Sequence, residues 1–355
     1  MSDFILKPLP PDHELETKAV LKQIGLSHRF LAELKGVSKT IPNQNILIYT
    51  LPLIEAKDSS AIENIITTHD ELYKENLFDN LIKSPAAKEV RDYASALRKG
   101  YAFVKENGIL SNNILLEVQA GVENSRAGFR KLPGTELKNE ATGETIYTPP
   151  QNHDDIVRLM TNLEKFINDN DFSLCDPLIK MAVIHYQFES IHPFYDGNGR
   201  TGRILNILYL VHQGLLDIPV LYLSRYIIRN KNDYYRLLQS VRETENWEEW
   251  ILYMLKGIET TSLDTIHRIN KIRNLMMDYK QRIRAKFKFY SQDLLNNLFC
   301  HPYTKIEFIE KDLNVSRQTA AKYLDTLAGE GYLRKEKIGV NSYYINEPLF
   351  DIFIE

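Results

Sequence analysis

The longest regular pattern in this sequence is helical. From Trp247 to about Phe287, apolar residues recur every three or four positions, which indicates one long helix or two joined helices. The apolar positions are 250, 251, 254, 255, 258, 266, 269, 272, 275, 276, 279 and 283. Similar patterns occur earlier in the chain. The sequence therefore predicts a mainly α-helical protein.

Four earlier segments share this periodicity. They are residues 86–106, 111–122, 154–169 and 176–190. The stretch "SSAIENIITTHDELYKEN" predicts a further short helix that begins at Ser59 or Ser60, because serine is a preferred N-cap residue. Residues 125–153 are instead rich in glycine, proline and turn-forming residues, with "ETIYT" as a candidate strand. We expect an exposed β-hairpin, or flap, in this region.

The end of the chain has a different pattern. From Thr304 to Ile345 the order is helix, turn, a helix capped by Ser316, and two short strands around Tyr332 and Tyr343. That order is typical of a winged helix-turn-helix. A chain of 355 residues is long enough to form more than one core, so a small C-terminal module beside a larger helical domain is expected.

Composition excludes several classes of protein. The formal net charge is −3, so nothing draws the whole surface to nucleic acid or an anionic membrane. The two cysteines, Cys175 and Cys300, exclude a disulfide framework and suit a reducing cytosol. The N-terminus lacks the pattern of a signal peptide, and no apolar run is long enough to span a membrane. We expect a soluble, cytoplasmic protein with no membrane partner.

The segment "ESIHPFYDGNGRTGRILNILYL", residues 189–210, concentrates polar and flexible residues between two apolar stretches. Gly197, Asn198 and Gly199 can adopt conformations in which consecutive backbone N–H groups converge on one point. A helix that starts near Arg200 would direct its partial positive charge to the same point. The segment therefore predicts an anion site.

Charged side chains complete this predicted site. Arg200 and Arg203 lie on one helical turn and can clamp two phosphate groups. Asp196 offers a hard oxygen ligand, which suits Mg²⁺ bound to phosphates. His192 is the group in the loop that can accept a proton near neutral pH. These residues indicate activation of a nucleophile beside a metal-bound polyphosphate.

Other kinds of site could use the same residues. A zinc site formed by His185, His192 and Asp196 is an alternative, but zinc requires neither the glycines nor the arginines. The GxxxxGK[ST] phosphate loop is absent from the sequence. Each residue taken alone is also typical of an ordinary turn.

The run "HPFYDGNGRTGR" resembles, position for position, the signature HxFx[D/E]GNGRxxR of Fic-domain proteins. Most of that family transfer AMP from ATP to a hydroxyl side chain of a target protein. The resemblance implies that His192 is the base that deprotonates the Ser, Thr or Tyr hydroxyl. It also implies that Phe194 anchors the loop in the core and that Asp196 binds Mg²⁺.

The resemblance further implies how the nucleotide is bound. Asn198 and the N–H groups of Gly197 and Gly199 would hold the α and β phosphates. Arg200 would hold the β phosphate and Arg203 would meet the γ phosphate. In the Doc-like kinase toxins of this family the residue at position 199 is not glycine, so Gly199 favours AMP transfer. The nucleotide-binding run is Gly197, Asn198, Gly199, Arg200, Thr201, Gly202 and Arg203.

A second motif of the same family, [S/T]xxxE[G/N], marks an inhibitory helix. Ser59, Glu63 and Asn64 match it. The resemblance implies that Glu63 pairs with Arg203 and occupies the space of the γ phosphate. An ordinary capping box formed by Ser60 and Glu63 is the alternative explanation.

Partners follow from the same resemblance. The flap, residues 128–150, would align a segment of the target protein by strand addition. Asn230 is the candidate contact for adenine, whereas Tyr234 and Tyr235 are interpreted as core residues. A homodimer is expected because family members often dimerise. In the end module acidic residues outnumber basic ones, so docking of a protein is at least as expected as binding of DNA.

The sequence thus predicts a Fic-type helical bundle with a β-hairpin flap and a C-terminal winged helix-turn-helix. Its expected activity is Mg²⁺-dependent AMP transfer from ATP to Ser, Thr or Tyr of target proteins or itself, inhibited by Glu63. Alternatives are another nucleotide or removal of AMP at the same site, and a DNA-binding regulator whose catalytic domain senses a ligand. The expected parts are an N-terminal helical region (1–110) with the inhibitory helix (59–73), the catalytic core (111–245), a connecting helix region (246–290) and the winged-helix module (291–355).

Overall fold

The computed structural model describes residues 5–77, 84–138, 142–338 and 341–355. Helices dominate these ranges. The first group is α1 (Lys18–Ser38), α2 (Asn45–Ile62), α3 (His69–Leu77), α4 (Pro85–Asn107), α5 (Asn112–Glu123), α6 (His153–Asn168), α7 (Pro177–Ile191) and α8 (Asn198–His212). The second group is α9 (Ser224–Arg229), α10 (Lys231–Thr244), α11 (Trp247–Lys286), α12 (Gln292–Cys300), α13 (Ile306–Leu313), α14 (Arg317–Gly329) and α15 (Glu347–Ile354). The four helices predicted from periodicity between residues 86 and 190 are therefore confirmed.

The strands form two small antiparallel sheets. Strands β1 (Leu137–Lys138) and β2 (Thr145–Tyr147) pair with each other and form the predicted hairpin. Residues 139–141 of the predicted flap lie outside the described residues. Strands β3 (Tyr303–Lys305), β4 (Arg334–Ile338) and β5 (Asn341–Ile345) form the second sheet in the order β3-β5-β4.

Helices α7 and α8 form the centre of the larger domain. Every residue of α7 from Leu178 to Ile191 is buried, and so is nearly every residue of α8. Helices that are buried on all sides must be surrounded by other elements, and α4, α5 and α6 pack around this pair. The loop between α7 and α8 therefore starts and ends in rigid, buried structure. Any site built on this loop has a firm support.

The long periodic segment is one helix, α11, of 40 residues. Its first part packs against α1 and α7, and its last part packs against the C-terminal module. The Tyr279 hydroxyl near the end of α11 donates to the Tyr332 carbonyl of that module at 2.9 Å. The helix thus connects the larger domain with the C-terminal module.

The C-terminal module has the predicted order of elements. Helices α13 and α14 follow β3, and the hairpin β4–β5 closes the sheet, as in a winged helix-turn-helix. Ser316 caps α14, since its side chain accepts a bond from the Thr319 N–H at 3.3 Å. The module contacts the larger domain through α3, where Tyr73 stacks on Tyr303 with 5.4 Å between ring centroids.

The predicted helix over residues 59–73 is wrong. Ser59 and Ser60 lie in the last turn of α2, which ends at Ile62, and the next helix starts only at His69. Asn64 adopts a left-handed conformation with φ of 63°, and the Ile65 N–H donates to the Ser60 carbonyl at 3.0 Å. These contacts terminate a helix. The serines therefore belong to a helix end, and the capping box at Ser60 does not form.

Within the described residues, no helix has both the length and the apolar character that a membrane crossing requires.

Candidate active site

His192 lies where α7 ends. Its backbone is left-handed, with φ of 49° and ψ of 59°, and its N–H donates to the Phe188 carbonyl at 3.0 Å. The chain then turns so that Phe194 enters the core, where its ring lies 5.5 Å from that of Phe129 and 6.2 Å from that of Phe188. This buried aromatic cluster fixes the loop that carries His192, as the sequence predicted for Phe194.

Asn198 closes the loop through its side chain. Its amide oxygen accepts from the Phe194 N–H and its amide nitrogen donates to the Phe194 carbonyl, both at 2.8 Å. The side chain of Asn198 is therefore committed to the protein. The backbone N–H groups of the first turn of α8 have no intrahelical partners, so they are available to an anion, and the anion site stays a prediction. Gly197, with φ of 75°, allows the chain to enter this turn.

Glu63 bridges the two arginines of α8. Its Oε1 lies 2.7 Å from Nη2 of Arg203, and its Oε2 lies 2.9 Å from Nε of Arg200. Ser59 adds a bond from the same direction, since its hydroxyl accepts from Nε of Arg203 at 2.7 Å. The structure thus brings Ser59 and Glu63 together with the predicted phosphate-binding residues. A carboxylate occupies the place where the arginines would meet a phosphate.

Arg200 has two further carboxylate partners that the sequence analysis missed. Its Nη1 lies 2.8 Å from Glu89 and its Nη2 lies 2.7 Å from Glu123. Together with Glu63, three carboxylates surround this buried guanidinium. A phosphate oxygen can contact Nε of Arg200 only if Glu63 is displaced. No local spacing in the sequence could have revealed Glu89 and Glu123, because they lie far from Arg200 in the chain.

His192 is neutral at pH 7. Burial lowers the pKa of its imidazole to about 4, and the nearby positive charges of Arg130 and Arg242 act in the same direction. A neutral imidazole can accept a proton, which is the function required of a general base.

The alternative zinc site is wrong. His185 is fully buried, and both of its ring nitrogens have partners: Nε2 lies 2.8 Å from the Tyr234 hydroxyl and Nδ1 lies 3.1 Å from the Asn206 amide. His185 is therefore a core residue rather than a metal ligand. Across the described ranges, no group of three or more His, Cys, Asp or Glu side chains is arranged to hold a metal ion.

Asp196 is exposed at the tip of the loop, and its Oδ1 accepts from the Gly197 N–H at 2.7 Å. A single carboxylate beside a phosphate site fits Mg²⁺, which usually keeps several waters and binds through one or two carboxylates plus phosphate oxygens. Mg²⁺ held there would neutralise phosphate charge. The donor set therefore agrees with the predicted role of Asp196.

Asn230 is not brought to this loop. Its side chain donates to the Tyr226 carbonyl at 2.9 Å, and it lines a cleft formed mainly by α2, α9 and α11. None of the residues that line this cleft belongs to the run 192–203. The adenine contact of Asn230 stays a prediction. Tyr234 is buried as expected, whereas Tyr235 is 49% exposed, so its assignment to the core is wrong.

The base of the flap is tied to the catalytic loop. The Tyr147 hydroxyl donates to the Ser190 carbonyl at 2.8 Å, and the Tyr195 hydroxyl accepts from the Lys131 N–H at 2.8 Å. The Arg242 guanidinium stacks over the Tyr147 ring, 4.0 Å from its centroid. The flap therefore lies beside the loop that carries His192, and strand addition by a target stays a prediction.

Glu189 is a buried carboxyl that the sequence analysis did not single out. Burial raises its pKa to about 7. It faces Gly202, where a β-carbon would lie 2.5 Å from Oε1 of Glu189 and 3.0 Å from Cδ1 of Phe188. Only glycine at this position lets α8 approach α7 so closely.

Gly202→Ala is therefore expected to reduce the free energy of unfolding by about 1–3 kcal/mol, because the new methyl group overpacks the contact between α7 and α8. Gly36→Ala in α1 is the control. Its β-carbon would meet nothing within 4 Å, and alanine favours the helix by up to about 1 kcal/mol. Urea denaturation measures both changes, and a Gly202→Ala protein as stable as the parent would contradict the prediction.

Three family models match this chain. They are described as Fic/DOC family N-terminal (residues 21–102), Fic/DOC family (residues 110–210) and protein adenylyltransferase SoFic-like, C-terminal domain (residues 275–349). The second match contains the loop between α7 and α8, and the third contains most of the C-terminal module. The chain belongs to the Fic/DOC family.

Curated relatives match part of the chain. A probable protein adenylyltransferase of Aquifex aeolicus is 29% identical over 191 residues, which is 52% of this chain and 53% of the relative. The protein adenylyltransferase Fic of Drosophila yakuba is 33% identical over 112 residues, which is 32% of this chain and 21% of the relative. The matched region thus spans about half of the first relative and about a fifth of the second.

Solved structures share the fold. A Fic family protein from Desulfovibrio desulfuricans has a TM-score of 0.61 at 18% identity and covers 95% of this chain and 98% of its own. Fic-1 (residues 134–508) of C. elegans has a TM-score of 0.54 at 20% identity, covering 71% and 73%. The first similarity includes nearly the whole chain, so the overall fold is shared.

Proposed function

We propose that this protein transfers AMP from ATP to a hydroxyl side chain of a protein, with Mg²⁺. The observation that carries the proposal is the position of a neutral imidazole, His192, one loop before a helix N-terminus that presents Arg200 and Arg203. The names of the curated relatives, which are protein adenylyltransferases, support the same reaction.

The proposed reaction is an in-line displacement at the α-phosphorus of ATP. A hydroxyl oxygen of the target attacks the α-phosphorus of ATP, the bond to the β-phosphate oxygen breaks, and pyrophosphate leaves. His192 takes the hydroxyl proton. The N–H groups at the start of α8 and the two arginines stabilise the charge that develops on phosphate oxygens. Asp196 would hold Mg²⁺, which supplies further charge neutralisation.

Glu63 keeps this activity low in our proposal. Its carboxylate forms ion pairs with both Arg200 and Arg203, so neither guanidinium is available to bind the γ phosphate of ATP. The triphosphate would then bind only in a position that does not align the α-phosphorus with His192. Activation would then require the Glu63 side chain to move away from the two arginines, and the buried loop that carries His192 would not have to rearrange.

Intact-mass spectrometry of the Glu63→Gly protein tests the reaction. After incubation with ATP and Mg²⁺ we expect the mass of one or more added adenylates. Parallel incubations with GTP, CTP and UTP test the nucleotide. If the protein gained only the mass of a phosphate, the reaction would be phosphate transfer, as in a kinase, and not AMP transfer. Loss of AMP from a previously adenylated protein, without any gain, would favour the removal reaction.

The surface charges of the C-terminal module favour docking of a protein over binding of DNA. On α14, Arg317 lies 3.4 Å from Glu307, and Lys335 of the wing lies 2.6 Å from Asp325. Affinity for DNA comes mainly from Lys and Arg side chains that neutralise phosphates and release their counterions. Side chains that are already paired with carboxylates of the module contribute little to this release. Target docking along residues 128–150 and a homodimer are the other partners that we propose.

A further inference from the structure

Arg130 is a fully buried guanidinium beside the catalytic loop. Its Nε donates to the His192 carbonyl at 2.8 Å, and its Nη2 lies 3.3 Å from the Ile191 carbonyl. The same Nη2 also donates to the carbonyl of Pro150, the residue at which the flap ends. One side chain thus contacts the end of α7, the backbone of the proposed base and the end of the flap.

The backbone of Arg130 adds two more contacts. Its N–H donates to the Pro193 carbonyl at 2.8 Å, and its carbonyl accepts from Nδ1 of His153 at 2.9 Å. His153 is the first residue of α6. Arg130 is therefore the junction at which the flap, α6 and the end of α7 meet.

The partners of this guanidinium are unusual. Among the described residues, no carboxylate lies within salt-bridge distance of Arg130. Its bonds go to main-chain carbonyls, which carry partial negative charge at a helix C-terminus. Burying a cation without a carboxylate partner is unfavourable, so a residue of this kind needs a reason in the structure.

The conformation of His192 provides that reason. A left-handed backbone is uncommon for a residue other than glycine and persists where its surroundings hold it. The bond from Arg130 fixes the carbonyl of His192 in this conformation. Its bond to Pro150 fixes the end of the flap relative to the same atom. These two bonds fix the position of the flap end relative to the backbone of His192.

We propose that Arg130 is a positioning residue for the transfer reaction: it fixes the backbone of His192 and the flap that presents the target hydroxyl against each other. The inference rests on the proposed function and adds a residue to it. Arg130 touches neither the hydroxyl nor the phosphates. It acts through His192, by setting where the imidazole stands when the hydroxyl arrives.

Kinetics of modification test this role in the Glu63→Gly protein. Arg130→Met removes the bonds and the charge, and Arg130→Lys keeps a charge but cannot hold three carbonyls in the planar geometry of a guanidinium. We expect kcat to fall at least thirtyfold in both variants while the KM for ATP changes less than threefold, because misplacement of a catalytic group by about 1 Å costs about a hundredfold.

Arg126→Met is the matched control. Arg126 lies four residues earlier, its side chain is 81% exposed, and its contact is an ion pair with Glu117 at 3.3 Å. This variant should retain the kcat of its parent. If the Met variant does not fold, the Lys variant decides. A kcat within threefold of the parent in the folded Arg130 variants, or an equal loss of ATP affinity, would overturn the positioning role.

NMR titration of His192 provides a readout that does not depend on transfer. The charged groups that face its imidazole are Arg130, Arg242 on α10 and Asp196 in the loop. The Arg130→Met change should move the pKa of His192 upward toward its ordinary value, whereas Arg126→Met should leave it unchanged. An unchanged pKa and unchanged ring signals in Arg130→Met would refute the contact. Failure of AMP transfer with a shifted pKa would instead refute only the proposed function.

Discussion

The Glu63→Gly protein is expected to attach AMP to itself about a hundredfold faster than the parent protein. Glu63 contacts two buried guanidinium groups, at 2.7 Å on Arg203 and 2.9 Å on Arg200. A charge-assisted contact contributes about 1.5–3 kcal/mol. Some of this is recovered by solvent because Glu63 is 28% exposed, so we take about 3 kcal/mol for the pair of contacts. That energy corresponds to about a hundredfold in rate.

Two further variants separate charge from chain flexibility. Glu63→Gln keeps the size of the side chain and removes its charge, so it should release part of the activity. Ala61→Gly, two residues earlier in the same turn of α2, adds the flexibility of glycine and leaves the carboxylate in place. It should modify itself as slowly as the parent. The rates come from a time course with labelled ATP and Mg²⁺. Equal rates for the parent and Glu63→Gly would disprove inhibition by this carboxylate.

The position of Glu63 in its helix favours displacement. The sequence predicts a helix that runs through Glu63, but the structure places Glu63 as the cap at the end of α2, followed by five residues that belong to no helix or strand. Movement of a helix end breaks fewer backbone hydrogen bonds than movement of a helix interior. The far side of this short segment is held, since Asp70 of α3 accepts from the Tyr303 hydroxyl at 2.7 Å. The Glu63 carboxylate thus lies between a helix end and an element anchored on the C-terminal module.

The candidate loop could be predicted from the sequence because the groups it would use are local. Backbone conformation, helix start and charged groups all fall within "HPFYDGNGRTGR", and the buried helices on either side position them. Most helices could also be predicted from periodicity, because a helix with one buried face has apolar residues at every third or fourth position. The boundary at Glu63 was missed because serine is typical of helix starts, whereas the terminating signal was the left-handed Asn64.

Contacts between distant segments could not be predicted in this way. Glu89 and Glu123 reach Arg200 from two other helices, and Arg130 reaches His192 across the base of the flap. These pairings depend on how helices pack in three dimensions, and one sequence carries no local sign of them. For the same reason the expectation that Asn198 faces a phosphate overlooked its side-chain bonds to Phe194, which become visible only once the loop is folded.

Loss of the imidazole should have the largest effect on the reaction. In the Glu63→Gly protein, His192→Ala is expected to lower kcat by about 10²–10⁴, the usual contribution of a positioned general base. Its affinity for ATP should stay within about threefold, because the proposed phosphate contacts come from α8 and not from His192. Single-turnover kinetics and calorimetric binding of a non-hydrolysable ATP analogue measure the two effects separately.

The pH dependence adds an independent check on His192. Because its pKa is lowered to about 4, the imidazole stays neutral from pH 6 to pH 8, and kcat should fall only as the pH approaches 4 and the ring becomes protonated. His267→Ala, at an exposed position on α11, is the control and should behave as the parent. If His192→Ala retained more than a tenth of the parent kcat, proton removal would have to be assigned to another group. If its ATP affinity fell in proportion to kcat, the imidazole would instead contribute to holding the nucleotide, and the separation of binding by α8 from proton transfer by His192 would fail.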